Sequence, residues 1–437
     1  MNHKNHQDGT HHAQDLINSL TSQSALESDK AMPLDIAGNK RDSNFPNQTI
    51  SSLLKEHLPN AMEGQYYEYE TSFGGIEVVQ FNPECGLIWK QEENKICGIP
   101  HYSGNVEILW YYQDSLHQKQ SHISQLYINA NPSKLWQNKP SNPTVPFYKQ
   151  DNEHEYQKTI LADVIGARVR GRSHAHVGSC CDDDFIIQAF EEENLYVLAV
   201  SDGAGSAEFS RYGSELVVRA IKQEMYDSLA DFKNAVKNDI LANKLMQRLV
   251  HSAYKALYHA VTSHSPIDGL ELSLRKLYCT LLVALVFKQE DGKWLTIAYS
   301  VGDGVIAYYQ PQSQGMVRIL SQNDSGQFSG ETAFLNHKSI MLKADGGELE
   351  DRISKLYITS HVPLLFLMTD GVSDPKFPSD ESMKQVSYWK ELWNELKFIK
   401  HEPNPAQALE EWLGFWSKGH HDDRTLVILL PKGFSYE

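Results

Sequence analysis

An α+β fold preceded by a small all-β module is the architecture that the order of apolar runs predicts in this chain of 437 residues. Three observations lead there. Short alternating runs without helical periodicity fill the stretch from about Gly64 to Ile128. After a proline-containing break come the apolar runs "DFIIQAF", "LYVLAVSD", "YCTLLVALVFKQ", "WLTIAYSVGDG", "VIAYYQP", "PLLFLMTDG" and "RTLVILLP". Two amphipathic stretches, "RYGSELVVRAIKQEMYDSL" and "ANKLMQRLVHSAYKALYHAV", sit together between the second and third of these. Strands in sequential runs with helices inserted as a pair argue for α+β layering and against a parallel βαβ sheet.

Taken in order, residues 1–55 are rich in Asn, Gln, His, Ser and Asp and poor in aromatics, a composition that cannot bury enough surface to order itself. A disordered tail is expected, and its His3, His6, His11 and His12 are read as solvated. Residues 56–130 carry "QYYEYETSF", "IEVVQFN", "GLIWKQ", "NVEILWYYQ" and "SQLYIN" between Gly, Pro and Asn turns, which is strand chemistry. Within them, "CGLIWKQEENKICGIPHYSGNVEILWYYQ" resembles immunoglobulin-like or cadherin-like β-sandwich modules, with Gly98, Pro100 and Gly104 at the turns. Residues 131–160, including "NANPSKLWQNKPSNPTVPFYKQDNE" with four prolines, read as a linker. The second domain is expected over 161–433. Leu245, Leu249, Tyr254, Leu257 and Val261 recur at helical spacing in the second amphipathic stretch and are read as core.

Lys+Arg 40 against Asp+Glu 56 gives a formal net charge of -16. A surface that acidic repels phosphate backbones and anionic lipid, so nucleic acid and membrane surfaces are not expected partners. The five cysteines, Cys85, Cys97, Cys180, Cys181 and Cys279, form neither an even framework nor a paired C-x-x-C zinc spacing and are read as reduced. The beginning lacks the apolar core of a signal peptide, and no stretch has the roughly 18 consecutive apolar residues of a transmembrane helix. A cytoplasmic protein is expected.

The chemistry is read from where the strands end. "LYVLAVSDG" ends at Asp202, "LTIAYSVGDG" at Asp303 and "PLLFLMTDG" at Asp370, while "DDRTLVILL" begins with Asp422 and Asp423. Asp-Gly is also the preferred type I′ hairpin turn, and that reading suits Asp303, because "VIAYYQ" follows directly as a returning strand. It does not suit Asp202, followed by small residues and then a helix, or Asp370, followed by "GVSDPKFPSD", whose prolines cannot pair as a strand. Carboxylates gathered at one sheet end repel unless a cation lies among them. Oxygen ligands of this kind are what Mg²⁺ and Mn²⁺ prefer, and a glycine after the acid allows close backbone approach, so a two-metal site is expected.

The ordered set "CDDDF", "VSDGAGS", "YCTLLVAL", "SVGDGVIAYY", "LMTDGVSD" and "DDRTLVIL" resembles the metal-dependent PPM family of serine/threonine protein phosphatases, the type 2C phosphatases, in a bacterial branch. The resemblance covers about residues 161–433. "GRSHAHVGSCCDDDF" is similar to that branch's Gly-x-Ser-His opening and puts its acid at Asp183, and "GETAFL" at 330–335 is similar to a further branch feature. The resemblance implies a four-layer α-β-β-α sandwich, two antiparallel sheets flanked by helices. It implies that Asp202 bridges two divalent cations (Mn or Mg), that the Gly203 carbonyl binds one of them, and that Asp370 and Asp422 complete the catalytic set. Asp183 would contact a metal or its waters, and Asp303 would help hold a weaker third ion. Thr280 and Thr425 would pack or hydrogen-bond beneath the site. The implied activity is hydrolysis of phosphoserine or phosphothreonine in proteins by metal-activated water. The implied partners are a phosphoprotein substrate and, as in related bacterial systems, a serine/threonine kinase.

The chain departs from the family pattern at three positions, Ala204, Gly178 and Asp423. Ala204 stands where many members have a histidine assigned as general acid, and Gly178 stands where many have an arginine that clamps phosphate. His174, with His176, Arg170 and Arg172, is a candidate phosphate contact, the alternative being a solvated or turn residue. Asp423 replaces a frequent Asn, and the insertion at 375–421, with Trp389, Trp393, Trp412 and Trp416, is expected to form a flap or lid helix pair with its own local core. Two other functions stay open: a catalytically inactive pseudophosphatase that binds phosphoproteins as a regulator, and a hydrolase of small phosphate esters.

Overall fold

The structure is a computed structural model that describes residues 57–71, 74–114, 116–235, 238–263, 270–312, 314–322, 332–359 and 361–433. The tail expected over 1–55 lies outside the described residues. The described chain forms two compact units, one of residues 57–60, 66–98 and 105–127, the other of residues 61–65, 99–104 and 128–433.

Strands β1–β7 are Ala61–Met62, Tyr67–Glu70, Ile76–Asn82, Leu87–Lys90, Lys95–Gly98, Gly104–Gln113 and Lys119–Asn129. In the first unit β2, β5 and β4 form one antiparallel sheet, and β3, β6 and β7 are neighbours in another. Strand β6 alternates in burial, with Val106, Ile108, Trp110 and Tyr112 inside and Glu107 outside. That is the pattern of a sheet with one solvated face. The buried Trp110 Nε1 donates to Ser124 Oγ at 3.0 Å, which satisfies the one polar group its ring carries inward.

The second unit contains β8 (Asn152–Lys158), β9 (Ala162–Val169), α1 (Arg172–Val177), β10 (Asp184–Phe190), β11 (Leu195–Ser201), α2 (Ser210–Ala235), α3 (Asp239–Thr262) and β12 (Leu281–Lys288). It continues with β13 (Trp294–Val301), β14 (Val305–Gln310), β15 (Met316–Ile319), α4 (His337–Ile340), β16 (Ile353–Ile358), β17 (Leu365–Met368), α5 (Asp370–Lys376), α6 (Asp380–Met383), α7 (Val386–Leu396), α8 (Pro405–Leu413) and β18 (Arg424–Pro431). One sheet has the order β10-β11-β12-β13-β16 and the other β15-β14-β17-β18-β9-β8, with antiparallel pairings.

Three apolar layers make this a four-layer α-β-β-α sandwich. Val197, Leu285 and Ile297 face Val217, Leu249 and Ala253 of α2 and α3. Leu198, Ala284 and Ala298 face Ile306, Leu367 and Val427 across the gap between the sheets. Phe366, Leu426 and Ile428 face Trp389, Trp393 and Leu409 of α7 and α8. Each sheet is therefore covered on both faces. This explains why β11, β12, β13, β17 and β18 read as continuous apolar runs and not as the alternating pattern usual for antiparallel strands.

Two expectations are corrected. The segment at 131–160 is not simply a linker. Asn152–Lys158 is the edge strand β8, paired residue for residue with β9, and its "NEHEYQK" composition suits an exposed edge. Phe147 stacks on Tyr212 with ring centroids 4.0 Å apart, and Lys149 is buried. The prolines exclude regular structure over 139–146 but not docking. The insertion at 375–421 is likewise not a lid. Its α7 and α8 form most of the outer helical layer, with Trp389 and Trp393 buried against Phe366.

Leu198 lies fully buried between the sheets. We expect Leu198→Ala to lower unfolding stability by about 2–5 kcal/mol in denaturant titrations, against less than about 0.5 kcal/mol for Tyr258→Ala on the exposed side of α3. Equal losses at the two positions would contradict the layering described.

Candidate metal centre

Antiparallel pairing decides which strand ends meet. Asp184 pairs with Ser201, Leu281 with Val301, Val305 with Met368, and Met368 with Leu426. The residues just outside these pairs are Asp183, Asp202, Asp303, Asp370 and the Asp422–Asp423 step, so all the expected acids gather at one end of the sandwich. Carboxylate oxygens of Asp202, Asp303 and Asp370 lie within 4.8 Å of one another. Asp303 thus shares a group with Asp202 and Asp370. Asp422 joins at the wall of the adjoining cavity of about 310 Å³, which Asp370, Asp374, His420 and Asp422 line.

Each acid is held by its local chain. The Asp202 N–H donates to Thr280 Oγ1 at 2.9 Å, and the Thr280 N–H donates to the Asp202 carbonyl at 2.8 Å, tying the end of β11 to β12. Asp183 is fully buried, and its Oδ2 accepts from Thr369 Oγ1 at 2.9 Å and Thr425 Oγ1 at 2.7 Å. Thr369 stands at the N-cap position of α5 but spends its hydroxyl on Asp183 and the Thr425 N–H, and Asp370 follows it in the first turn. Thr332 donates to Asp303. Beneath them the buried Lys149 Nζ donates to the Asp183 carbonyl at 2.6 Å and pairs with Asp184 at 2.9 Å.

Burial and like charge together perturb Asp183, Asp202, Asp370 and Asp422. Burial, then Asp370, Asp183 and Asp422, raise Asp202 well above the usual carboxylate range. Burial and then Asp303 and Asp422 do the same to Asp370. Asp183 is pushed up to about 7 by burial and by Asp423, against the pull of its hydrogen bonds. Asp423 goes the other way. Burial opposes its charge, but His174 and the N–H groups of Gly171 and Asp182 outweigh that and lower it.

His174 does not line the cavity beside Asp370. Its Nδ1 lies 2.9 Å from Asp423 Oδ2 and its Nε2 3.8 Å from Asp182 Oδ2. Burial works against the imidazolium, yet Asp423 and Asp182 raise it to about 10. The side chain proposed from sequence as a phosphate contact is therefore engaged behind the acids, balancing the Asp423 that replaces a frequent Asn. Arg170 is engaged too, by Asp151, the Ser179 carbonyl and Asn138. Sequence reasoning missed Asp374, whose carboxyl is raised by burial and by Asp303. Its spacing of four from Asp370 on a helix was the available signal. It also missed Lys149, for which a proline-rich stretch offers no signal at all.

The donor set fits divalent cations. Asp183 Oδ1 and Asp370 Oδ1 are buried without a hydrogen-bond partner, an expensive arrangement unless a cation satisfies them. A Cβ on Gly203 would come within 2.6 Å of the Asp182 carbonyl and 2.9 Å of Ser210, so only glycine lets the backbone lie this close to the acids. Gly178 has a different cause. At φ +80 it is the left-handed cap that ends α1, a conformation costly to arginine.

Residues 170–414 match the sequence model of the family described as Protein phosphatase 2C. The chain belongs to the protein phosphatase 2C family. No curated protein matches it. Among solved structures this protein phosphatase 2C chain is similar to RsbX in complex with magnesium, at 13% identity over 64% of this chain and 100% of that one, with a TM-score of 0.33. It is also similar to the photosystem II phosphatase PBCP, at 16% identity over 62% and 99% with a TM-score of 0.34. A third is the SiaA-PP2C domain of Pseudomonas aeruginosa, at 10% identity over 64% and 84% with a TM-score of 0.32. Among the described residues no helix is long and apolar enough to cross a membrane.

The raised carboxyls fix the sign of a pH effect. Without cations, the stability contributed by protonated Asp202, Asp370 and Asp183 is present below about pH 4 and is lost as pH rises through their raised values, near 7 for Asp183. Cations need the ionised forms and compete with protons. The gain in Tm from Mn²⁺ over chelator should therefore grow from about pH 5 to about pH 7.5 by scanning calorimetry. A flat or shrinking gain would count against a carboxylate cation site.

Proposed function

We propose that this chain is an active metal-dependent phosphatase that hydrolyses phosphoserine or phosphothreonine in proteins. The observation that carries the reading is the convergence of the Asp202, Asp303 and Asp370 carboxylates within 4.8 Å, beside a cavity of about 310 Å³. Asp202, Asp370 and Asp422, with the Gly203 carbonyl and with Asp183 behind them, are the residues that would hold two Mn²⁺ or Mg²⁺ ions, and Asp303 would help to hold a weaker third. Such ions supply Lewis-acid charge and a water of lowered pKa at the phosphorus.

The chain's own part is positional. The Thr280 and Thr369–Thr425 hydrogen bonds hold the acids in place before substrate arrives, which is the preorganisation that phosphoryl transfer rewards. Ala204 stands where many members have a histidine, so the leaving alkoxide would take its proton from water or from a nearby acid on the cavity wall, which Asp374 and His420 line. All five cysteines are buried, which removes them as nucleophiles. A phosphoprotein is the substrate on this reading, and the kinase that phosphorylates it is the natural second partner.

A second reading, an inactive binder of phosphoproteins, draws support from Ala204 and from Gly178, whose backbone conformation disfavours the clamp arginine. Hydrolysis of p-nitrophenyl phosphate separates the two. We expect turnover with Mn²⁺ or Mg²⁺ that chelator abolishes, falling by about 10²-fold or more in Asp202→Asn and Asp370→Asn. Phosphopeptide binding with no turnover in any metal would establish the inactive regulator instead.

A further inference from the structure

A second cavity of about 280 Å³ shares Asp422 with the acid cluster and has a different character. Its walls include Trp136, Asn138, Arg170, Arg172 and Arg424. Arg170 is neutralised by Asp151, 3.1 Å away. Arg172 and Arg424 are not neutralised: neither has a carboxylate within ion-pair distance among the described residues. Arg424, 5% exposed, donates only to backbone carbonyls, those of Gly371, Leu413, Phe415 and His420. Arg172 donates to the Gly414 carbonyl at 3.0 Å and lies over the Trp416 ring, and its Nε is buried without any partner.

Two unpaired guanidiniums sharing one wall are anomalous in a chain of net charge -16, where carboxylates abound. Asn138 Oδ1 already accepts from Arg170, which leaves its amide NH₂ as a further donor. The lining thus offers donors and positive charge, and Asp422, the one acid on the wall not paired to Arg170, also lines the cavity beside Asp370. Guanidinium forks match carboxylate and phosphate oxygens. The volume suits one side chain and is small for a separate organic ligand.

We propose that this cavity is a subsite for an anionic side chain of the substrate, a carboxylate or a second phosphate beside the phosphoresidue being cleaved, with Arg172 its main contact. The subsite rests on the phosphatase reading for the meaning of its neighbour, and it makes the enzyme select acidic or multiply phosphorylated sequences. Trp136 and Asn138 belong to the segment that precedes the catalytic sheet, so that segment helps to choose the substrate.

The test uses the full chain and phosphoserine peptides with Glu, phosphoserine or Gln at either neighbouring position. We expect kcat/KM for the Glu or phosphoserine peptides to exceed that for the Gln peptide by about tenfold or more. In Arg172→Gln that ratio should collapse toward one, with Arg172→Lys intermediate and both variants retaining the wild-type Tm within a few degrees. The Glu and phosphoserine arms tell the two anions apart. No preference in the wild type, a preference kept in Arg172→Gln, or an equal fall for all peptides would each overturn the subsite. If p-nitrophenyl phosphate is not turned over in any metal, the phosphatase reading alone fails. Fluorescence anisotropy with the same labelled peptides and Mn²⁺ then decides the subsite by the same ratio.

Discussion

Repulsion among carboxylates that cannot move apart is the constraint on which this phosphatase 2C unit is organised. Six aspartates, Asp183, Asp202, Asp303, Asp370, Asp422 and Asp423, are brought to one end of a β-sandwich by strand pairings with buried, apolar interiors, and the pairings leave them no freedom to separate. Such a cluster is unfavourable in itself, because burial and like charge both resist ionisation. It is tolerated because the energy that sets its geometry comes from elsewhere, from three apolar layers that bury strands on both faces. A site whose geometry is imposed by a distant core can afford to be electrostatically strained, and strain of this sign is what gives divalent cations their affinity.

The surroundings of the cluster divide the work by charge. Hydroxyls of Thr280, Thr369 and Thr425 orient the acids without neutralising them, and so leave the negative potential available. Full charges are kept one step away: Lys149 on the Asp183 carbonyl and Asp184, and His174 on Asp423 and Asp182. The second arrangement accounts for the departure at Asp423. An added carboxylate beside the site is stable because the imidazolium and two backbone N–H groups satisfy it, and it serves to fasten α1 to the start of β18.

The same logic extends to the segment before β8. Trp136 meets His176 and His421 edge-on or tilted, with ring centroids 5.4 and 4.3 Å away, and the Lys139 N–H donates to the Ala175 carbonyl. Together with Phe147 and Lys149 these contacts fasten the segment along the phosphatase 2C unit over much of its length. Residues that a sequence reading assigns to a spacer are therefore part of the wall and the underside of the site, and the geometry of the acid cluster depends on chain outside the residues that carry the family resemblance.

The sequence by itself determined the layered α+β class, the paired helices and the identity of the acids, because each of these is written locally. A strand closed by Asp-Gly, a helical stripe such as Leu245, Leu249 and Leu257, and the order of the acid-bearing strands all lie within short windows. It also held the spacing of Asp374 from Asp370, although nothing local marked that spacing as important. Only the tertiary structure decided that Asp303 shares a group with Asp202 and Asp370, that His174 faces Asp423 and not the cavity, that Lys149 is buried, and that the tryptophan-bearing insertion covers a sheet. Those outcomes depend on partners more than a hundred residues apart in several cases, as with His174 and Asp423. Such partners are chosen by sheet register and layer packing, which no local pattern of residue types encodes.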